Sequence, residues 1–338
     1  MQTVLITGGT GLIGRALTKM LLEKGYKVII LTRNLKESKD SNIAYAVWDV
    51  KKQTIDEKAI ATADYVVHLA GAGVADKRWT NSRKNEIKES RIQSSQLLVN
   101  VLKNTPNHVK AVISASAIGW YGDDKDRSAN KKAFTEDMPA NKDFLGETCR
   151  LWEESIDPVT SLNKRLVKLR TGIVLSNEGG AFAEFKKPVQ FGFAAILGNG
   201  QQAISWIHIQ DMCRMYLFAI ENDQMNGVFN AVAPIPVKNK SLTTLLAKKM
   251  KGRFFVTMYV PSFLLKIVLG EMSIEVLKSA TVSDHKIKEA GFTFLFPSIE
   301  SAVDDLLEKR NTDLTDKRRF FCFKILFNSL FDILISIT

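Results

Sequence analysis

The chain has 338 residues, of which 45% are hydrophobic and 25% are charged. This is the composition of a globular protein, and it excludes intrinsically disordered and collagen-like chains. The formal net charge is +11, but the basic residues are dispersed along most of the chain. We therefore expect them to maintain solubility and predict no nucleic-acid partner.

Cysteine and histidine are few and scattered. The three cysteines form no CxxC pair and the four histidines show no ligand spacing, which argues against a disulfide framework and against a metal site. No basic-then-apolar leader precedes the first predicted strand, so the expected compartment is the cytoplasm. The cysteines are Cys149, Cys213 and Cys322, and the histidines are His68, His108, His208 and His285.

Short apolar runs alternate with helical patterns in the first half of the chain. The runs predict strands at residues 3–7, 27–32, 44–48, 64–70, 110–115 and 166–169, and the intervening patterns predict helices at 14–24, after Trp79 and at 146–156. Alternating strands and helices predict an α/β fold, a doubly wound parallel sheet of the Rossmann type.

The regular alternation of strands and helices ends after about residue 174. Beyond it, glycine-rich loops accompany predicted helices at 211–221, 241–251 and 301–307. We therefore divide the chain into a dinucleotide-binding domain at 1–175, a smaller C-terminal substrate or cap lobe of α+β type at 176–307, and a tail at 308–338. The substrate is expected in the cleft between the lobes, at the carboxyl ends of the strands.

A glycine-rich loop joins the first predicted strand to the first predicted helix. In this context the first glycine permits a tight turn, the second lets the main chain approach a pyrophosphate, and the third allows close packing of helix on strand. The helix N-terminus adds unpaired N–H groups and a partial positive charge. The predicted cofactor residues here are Gly8, Thr10, Gly11, Leu12, Ile13 and Gly14.

The end of the second strand distinguishes the two nicotinamide cofactors. NAD-binding folds place Asp or Glu there, against the ribose hydroxyls. This chain has Thr32, Arg33 and Asn34 instead. A guanidinium favours the additional 2′-phosphate, so Arg33 predicts NADP(H) in preference to NAD(H). A solvated surface arginine is the alternative.

Several further motifs occur in order along residues 1–307. With them the chain resembles the extended short-chain dehydrogenases/reductases, and within these an atypical, epimerase-like branch that has its own C-terminal domain. The motifs are GGTGLIG at 8–14, TR at 32–33, HLAG at 68–71, RWTNSRKNEIKESR at 78–91, SASAIGWYG at 114–122, LRTGIVLS at 169–176, SWIHIQDM at 205–212 and GFTFLFPSIESAVDDLL at 291–307.

The resemblance implies roles for individual positions. Thr32 and Arg33 would hold the adenosine end of NADP(H). Glu86 and Arg91, on the helix after Trp79, would also face the cofactor, although the residues alone favour a solvated helix face. Further cofactor contacts implied by the resemblance are Leu69, Ala70, Gly71 and, beside the nicotinamide, Val174.

Extended reductases use a serine or threonine followed by a tyrosine and a lysine four residues apart on a helix, where the tyrosine is the acid or base. Ser116 occupies the serine position, but the predicted helix at 146–156 carries no such pair. Tyr121 and Lys125 have the spacing, yet they follow Ser116 too closely and fall in a predicted loop. The candidate proton carriers are therefore Ser116 and Tyr121, with His208 a residue that more often serves structure.

Two functions remain open at this level. One is an NADP(H)-dependent oxidoreductase or sugar-nucleotide epimerase whose small substrate is a nucleotide sugar or a carbonyl compound. The other is an NADP(H)-binding sensor or interaction protein without turnover, which suits the branch's link to cell or plastid division. A homodimer is compatible with either function.

The tail falls outside the resemblance. Residues 309–319 are polar and charged, and residues 320–338 are strongly apolar, with Lys324 and Asp332 opposing a membrane span. Three interpretations stay open: peripheral membrane contact beside the basic residues 317–319, packing on the body or on a second copy, and an aberrant end.

Overall fold

The computed structural model describes residues 1–35, 37–127 and 133–311. Its strands are β1 Thr3–Thr7, β2 Lys27–Thr32, β3 Ile43–Asp49, β4 Thr54–Ile55, β5 Tyr65–His68, β6 Ala111–Ala117, β7 Arg165–Thr171, β8 Ile173–Leu175, β9 Phe193–Leu197, β10 Ala203–Ile204, β11 Trp206–His208, β12 Gly227–Ala231, β13 Val237–Lys238 and β14 Val256–Val260. Its helices are α1 Leu12–Glu23, α2 Glu57–Thr62, α3 Asn81–Asn104, α4 Phe144–Ile156, α5 Ala181–Gln190, α6 Ile209–Glu221, α7 Asn239–Lys251, α8 Ser262–Leu269, α9 Ser273–Leu277, α10 His285–Glu289 and α11 Ile299–Asn311.

The main sheet has eight strands in the order β12-β7-β6-β5-β1-β2-β3-β4. All of its neighbouring pairs are parallel except β3 and β4. The strand order reverses between β1 and β5, so the loops that follow these two strands separate there and leave a crevice. The predicted Rossmann fold is confirmed.

Both faces of this sheet are covered, which explains why the strands are continuous apolar runs. Val4 and Ile6 pack with α1 and α6 on one face, while Leu5, Val66 and Val112 pack with α2 and α3 on the other. Because consecutive strand residues point to opposite faces, every residue of β1 is buried.

The residues beyond 175 contribute to two regions. β12 is the edge strand of the main sheet and α6 packs against α1, so the main sheet draws on chain beyond the predicted boundary. The remaining strands, together with β8 at Ile173–Leu175, form three two-stranded sheets, β10-β13, β11-β8 and β14-β9. These sheets surround a separate apolar cluster that includes Phe182, Trp206 and Leu246. The α+β character predicted for the C-terminal lobe is therefore present.

Helices predicted at 211–221, 241–251 and 301–307 are confirmed as α6, α7 and α11. Five of the described helices were not predicted. Three of them, α2, α9 and α10, are short. The other two are α5, which contains Pro188, and α8, whose sequence SFLLKIVL is apolar on nearly every side. The tail beyond Asn311 lies outside the described residues. Among the helices that are described, none combines the length and the apolar character needed to cross a bilayer.

Candidate functional site

The glycine loop between β1 and α1 has no room for side chains at two positions. Gly8 has a φ of +68°, and a Cβ there would lie 2.9 Å from the carbonyl carbon of Leu69. A Cβ on Gly14 would lie 2.5 Å from the carbonyl oxygen of Gly8. Both values are below any normal contact, so the loop requires glycine at these positions. The Gly11 N–H donates to the Gly8 carbonyl at 3.0 Å and closes the turn.

The N-terminus of α1 is open to an anion. Its N-cap, Gly11, supplies no side-chain hydrogen bond, and the first turn has no acidic residue. The first N–H groups of a helix lack partners within the helix and carry the positive end of its dipole. Thr10 and Gly11 are exposed and Leu12 is half-buried, so the loop surface presents main-chain atoms. This geometry fits a pyrophosphate group.

The end of β2 lies beside the same loop. A Cβ on Gly9 would contact Ile30 of β2 at 2.8 Å, so strand and loop pack directly on each other. Thr32, the last residue of β2, is half-buried and Arg33 is exposed immediately after it. Arg33 is therefore exposed at the carboxyl end of the strand that packs on the glycine loop, and its contact with a cofactor stays a prediction.

Leu69, Ala70 and Gly71 form the opposite wall of the crevice, after β5. The Thr7 hydroxyl accepts hydrogen bonds from the Leu69 and Ala70 N–H groups at 3.0 and 3.1 Å. It contacts His68 Nδ1 at 2.7 Å. Since the hydroxyl has one proton, it donates that proton to His68 Nδ1, which leaves the ring's own proton on Nε2.

His68 is therefore neutral and held in one tautomer. Its Nε2 faces the hydroxyls of Ser95 at 3.2 Å and Ser94 at 3.4 Å. Complete burial, with a smaller contribution from the Arg91 charge, lowers the pKa of His68 to about 3. Thr7 and His68 thus form an uncharged, hydrogen-bonded pair that fixes the main chain after β1 and after β5, on both sides of the crevice.

Arg91 and Glu86 of α3 occupy different surroundings. The Arg91 guanidinium donates to the Ala72 carbonyl at 3.0 Å, and a Cβ on Gly71 would lie 3.1 Å from its Cζ. Burial lowers the pKa of Arg91. Arg91 is thus a cation against the wall of the crevice, with its guanidinium 5.0 Å from the Trp152 ring centroid.

Glu86 is more exposed, with 58% of its side chain accessible. Its carboxylate accepts a hydrogen bond from Arg83 at 2.7 Å, and this bond together with the Arg83 charge lowers the pKa of Glu86. Arg83 also donates to the Gly73 carbonyl. Glu86 is therefore tied, through Arg83, to the loop that continues from Gly71.

Val174 of β8 comes close to the glycine loop from the other lobe. A Cβ on Gly180 would lie 3.3 Å from Leu12 Cδ2 and 3.8 Å from the Val174 carbonyl. The Ile13, Leu69 and Val174 side chains are half-buried against the same apolar cluster. The fold thus brings together residues that lie more than 100 positions apart, while their contact with a cofactor stays a prediction.

Ser116 points into a buried charged network. Its hydroxyl donates to Glu153 Oε1 at 2.7 Å, and the same carboxylate accepts from Arg170 Nε at 2.8 Å and Nη2 at 3.1 Å. Glu153 and Arg170 are fully buried. A bidentate, hydrogen-bonded pair satisfies both charges in this low-dielectric position.

Tyr121 extends this network and is also buried. Its hydroxyl donates to Asn230 at 2.7 Å and accepts from Arg170 at 3.0 Å, and its ring stacks on Phe134 at 5.0 Å. Burial raises the pKa of Tyr121 to about 12 despite the opposing effect of Arg170. The proton-carrier roles of Ser116 and Tyr121 stay predictions, and both hydroxyls are committed to partners inside the protein. Lys125, by contrast, projects outward beside Asp123.

The helix that follows β6, α4, carries neither tyrosine nor lysine. Two of its residues, four apart, face the segment immediately after β6: a Cβ on Gly119 would lie 3.2 Å from Leu145 Cβ and 3.6 Å from Cys149 Sγ. Burial raises the pKa of the Cys149 thiol to about 12, so it carries no charge near neutrality.

His208 has a structural position. It begins α6 as the N-cap, its Nδ1 accepts from the Gln210 N–H at 3.1 Å, and its Nε2 lies 3.2 Å from Asp305 of α11. Its ring is buried against Phe296. Elsewhere in the described ranges, no group of three or more His, Cys, Asp or Glu side chains is arranged to hold a metal ion.

Sequence reasoning missed Thr7, His68, Glu153 and Arg170. A usable signal existed for the first two, because a polar residue at the end of an otherwise buried strand has to find a hydrogen-bond partner. The Glu153–Arg170 pair had no such signal, since its members come from a helix and a strand that are separated by 17 residues and meet only in the fold.

Comparison with known proteins identifies the family. Residues 4–144 match the NAD dependent epimerase/dehydratase family, and residues 260–306 match a C-terminal domain of unknown function, DUF1731. An epimerase family protein of Staphylococcus aureus is 37% identical over 309 residues, which cover 91% of this chain and 100% of the relative. A Staphylococcus haemolyticus relative is equally similar over 308 residues.

The chain belongs to the epimerase family. A solved human member with NADPH bound superposes with a TM-score of 0.78 at 26% identity, over 91% of this chain and 99% of the human one. A nucleoside-diphosphate sugar epimerase from Corynebacterium glutamicum has a TM-score of 0.69 at 28% identity and covers 99% of this chain, which matches 65% of it. The resemblance to atypical extended short-chain dehydrogenases/reductases is confirmed, and these proteins bind nicotinamide dinucleotides.

Proposed function

We propose that this epimerase family protein is an NADP(H)-dependent oxidoreductase. The observation that carries the proposal is the glycine loop, which offers open N–H groups of α1 to a pyrophosphate. Arg33 stands at the same sheet edge for the 2′-phosphate. The human relative solved with NADPH supports the choice of the phosphorylated cofactor.

The two walls of the crevice have distinct tasks. Leu69 and Ala70, fixed through Thr7, present main chain along the cofactor, and Arg91 supplies a cation behind Gly71. Val174 closes the opposite side. When bound, NADPH supplies a hydride ion. The residues of this chain hold the cofactor in place and exclude water from its reacting end.

One observation favours the second candidate, an NADP(H)-binding sensor without turnover. The positions on α4 that face the end of β6 are Leu145 and Cys149, and neither moves a proton near neutral pH. A substrate reduced here would have to receive its proton from water or from another group. A panel of carbonyl compounds and nucleotide sugars with NADPH, followed by loss of absorbance of the reduced nicotinamide, separates the two candidates.

The cofactor assignment is tested on Arg33. We expect Arg33→Ala to weaken NADPH binding by roughly 10- to 100-fold in calorimetry, because a charge-assisted pair with the 2′-phosphate is lost. NADH affinity should be unchanged. Lys27→Ala is the matched control. Lys27 is exposed at the opposite end of the same strand, and its substitution removes the same charge.

An equal loss for both nucleotides would show that Arg33 acts on the loop and not on the 2′-phosphate. Absence of heat from NADPH and NADH with the unmodified chain would remove the proposal altogether.

A further inference from the structure

Exposed apolar side chains are concentrated in one stretch of the C-terminal lobe. Among the described residues, fourteen large apolar side chains are exposed, and six of these belong to residues 254–267. Single exposed apolar residues are normal on a protein surface, whereas a group of them marks a site of contact with another molecule. The six are Phe254, Val256, Tyr259, Phe263, Leu264 and Ile267, and we call them the exposed apolar group.

The packing of β14 and α8 leaves these side chains uncovered. β14 belongs to a sheet of two strands with β9, so its outer edge meets no other strand in the described part of the chain. In α8, Leu265 and Leu269 are buried one turn apart on the same side of the helix. Phe263 and Ile267, which are also one turn apart, therefore lie on the opposite side and face outward.

The most exposed aromatic residue of the group lies at a turn. Phe254 is in the connection between α7 and β14 and is 88% exposed. A second exposed phenylalanine, Phe191, precedes β9. The two connections are in contact, because the Val256 N–H donates to the Gly192 carbonyl at 2.9 Å. Two exposed phenylalanines thus lie at the same end of the β9-β14 sheet.

The sequence around the exposed apolar group is basic. Residues 224–270 contain seven Lys or Arg and no Asp or Glu. Two acidic residues beside this stretch are each paired: Asp304 contacts Lys249 at 2.5 Å, and Glu271 contacts Lys84 at 2.7 Å. Of the seven basic residues, Lys249 alone has an ion-pair partner within the described ranges. Exposed basic residues that remain available to an anionic partner are Lys248, Arg253 and Lys266.

An anionic membrane surface matches both properties. Lipid headgroups attract basic residues, and the adjoining acyl chains accept apolar side chains without a preformed cavity. Arg78, exposed against Gly270 at the end of α8, adds a further cation. A second copy of the chain is a poorer match, because a symmetric contact would set the same basic residues against each other. The tail is a poorer match too, since residues 312–338 contain four Lys or Arg and three Asp.

The tail begins close to the exposed apolar group. α11 packs on α7, and its Asp304 pairs with Lys249 in the last turn of α7. Phe254 follows α7 by three residues, and α11 continues for about 10 Å beyond Asp304. The tail therefore starts near the turn that carries Phe254. Its basic residues 317–319 and apolar residues 320–338 have a composition that suits the same lipid surface.

We infer that the exposed apolar group and its basic neighbours bind the protein to an anionic membrane surface. Phe254 and the outward side of α8 enter the layer between the lipid headgroups and the acyl chains. Lys248, Arg253 and Lys266 contact the negatively charged headgroups. The contact involves none of the cofactor residues, so it is independent of the proposed function.

The test uses the full chain and flotation with vesicles of two compositions. One contains phosphatidylcholine alone, and the other contains about one-third phosphatidylglycerol, which makes its surface negative. We expect the chain to float with the anionic vesicles and to bind the neutral vesicles roughly tenfold more weakly. Raising the salt from about 0.1 M to about 0.5 M should reduce the bound fraction, because salt screens the attraction between exposed charges.

Variants of the exposed apolar group locate the contact. Phe254→Ser and Ile267→Ser should each weaken binding to anionic vesicles roughly tenfold, because each removes apolar surface that the membrane covers. Leu295→Ser is the matched control. Leu295 is 54% exposed, and its N–H donates to Asp211 of α6, the helix that packs against α1. The affinity of this control for the vesicles should stay within about twofold of the wild-type value.

A second set of variants tests the charges. Lys248→Gln combined with Arg253→Gln should weaken binding to anionic vesicles roughly 20-fold, at about fivefold for each charge. Lys19→Gln combined with Lys24→Gln is the control, and it should bind as the wild-type chain does. Both of these lysines are exposed, on α1 and directly after it, and their substitution lowers the net charge equally. Circular dichroism checks that each variant is folded.

Absence of flotation with anionic vesicles overturns the inference. So does an equal loss in the variants and their controls, which would indicate attraction of the whole basic chain. If the variants in the exposed apolar group and its basic neighbours bind as the wild-type chain does, the tail makes the contact and the inference is wrong. Sedimentation velocity tests the remaining occupant: a wild-type dimer that Phe254→Ser dissociates would identify a contact between copies. None of these results bears on NADP(H) binding.

Discussion

The glycine loop and the end of β6, here called the main-chain wall and the side-chain wall, are built differently. Around the glycine loop, the surface offered to a ligand is main chain: N–H groups of α1 and close-packed glycines. Around the end of β6, the groups in question are side chains, namely Ser116, Glu153 and Arg170, and they bond to one another. The first wall is open toward a ligand, while the second is closed on itself.

A main-chain site and a side-chain site respond differently to substitution. A main-chain cradle depends on local conformation, so glycine at a few positions maintains it. A side-chain constellation depends on which residues face each other, and one substitution on α4 removes a proton carrier without disturbing the fold. Substitutions in each wall test this difference, and we expect the largest effect in the side-chain wall.

The side-chain wall should be the more costly to disturb. Glu153→Gln leaves the Arg170 guanidinium fully buried without a counter-charge, and we expect it to lower the free energy of unfolding by about 3–5 kcal/mol. Urea denaturation followed by circular dichroism measures this loss. NADPH affinity of the folded fraction should change little.

The neighbouring residue supplies the control. Glu154 is exposed and pairs with Arg150 on the surface, so Glu154→Gln should cost less than about 1 kcal/mol. If both variants lose the same stability, the buried pair has no special role and the contrast between the walls disappears.

A substitution in the main-chain wall should lower the affinity for NADPH. Gly8→Ala forces an L-residue to a φ of +68° and places a Cβ 2.9 Å from Leu69, which pushes the two sides of the crevice apart. We expect NADPH binding to weaken roughly 100-fold in calorimetry. Gly25→Ala controls for the backbone conformation, since Gly25 has a φ of +81° and no atom within 4 Å of its Cβ position. The NADPH affinity of the Gly25→Ala variant should equal that of the wild-type chain. A loss of affinity comparable to that of Gly8→Ala would mean that the contact with Leu69 is irrelevant.

His68, which lies between Thr7 of β1 and Ser94 and Ser95 of α3, should make stability depend on pH. Its pKa of about 3 in the folded chain lies below its usual value of 6.5, so the unfolded chain binds the extra proton between these values and stability falls as the pH drops below about 6.5. From about pH 7 to about pH 5 this group costs about 2 kcal/mol. Urea titrations at the two pH values measure the free energy of unfolding. On going to the lower pH, we expect this free energy to fall by that amount more in the wild-type chain than in the His68→Asn variant. Parallel pH dependence of the two proteins would contradict a buried, neutral His68.

Much of the first wall could be predicted from the chain, because its signals are local. The strands at 3–7 and 27–32 were located to the residue, and the glycine spacing needed only the strand before it and the helix after it. The helices α5 and α8 were missed because Pro188 resembles a break and because α8 has no polar face to produce a helical period.

The sequence by itself determined the Rossmann fold, the position of the glycine loop and the basic residue at the end of β2, since each depends on neighbours along the chain. Tertiary structure alone decided that Ser116 bonds to Glu153, that Tyr121 lies inside the protein and that Leu145 meets Trp79 and Leu277 in one cluster. These contacts join residues distant in sequence, and only the packing of α4 and the C-terminal lobe against the sheet edge brings their side chains within a few ångströms.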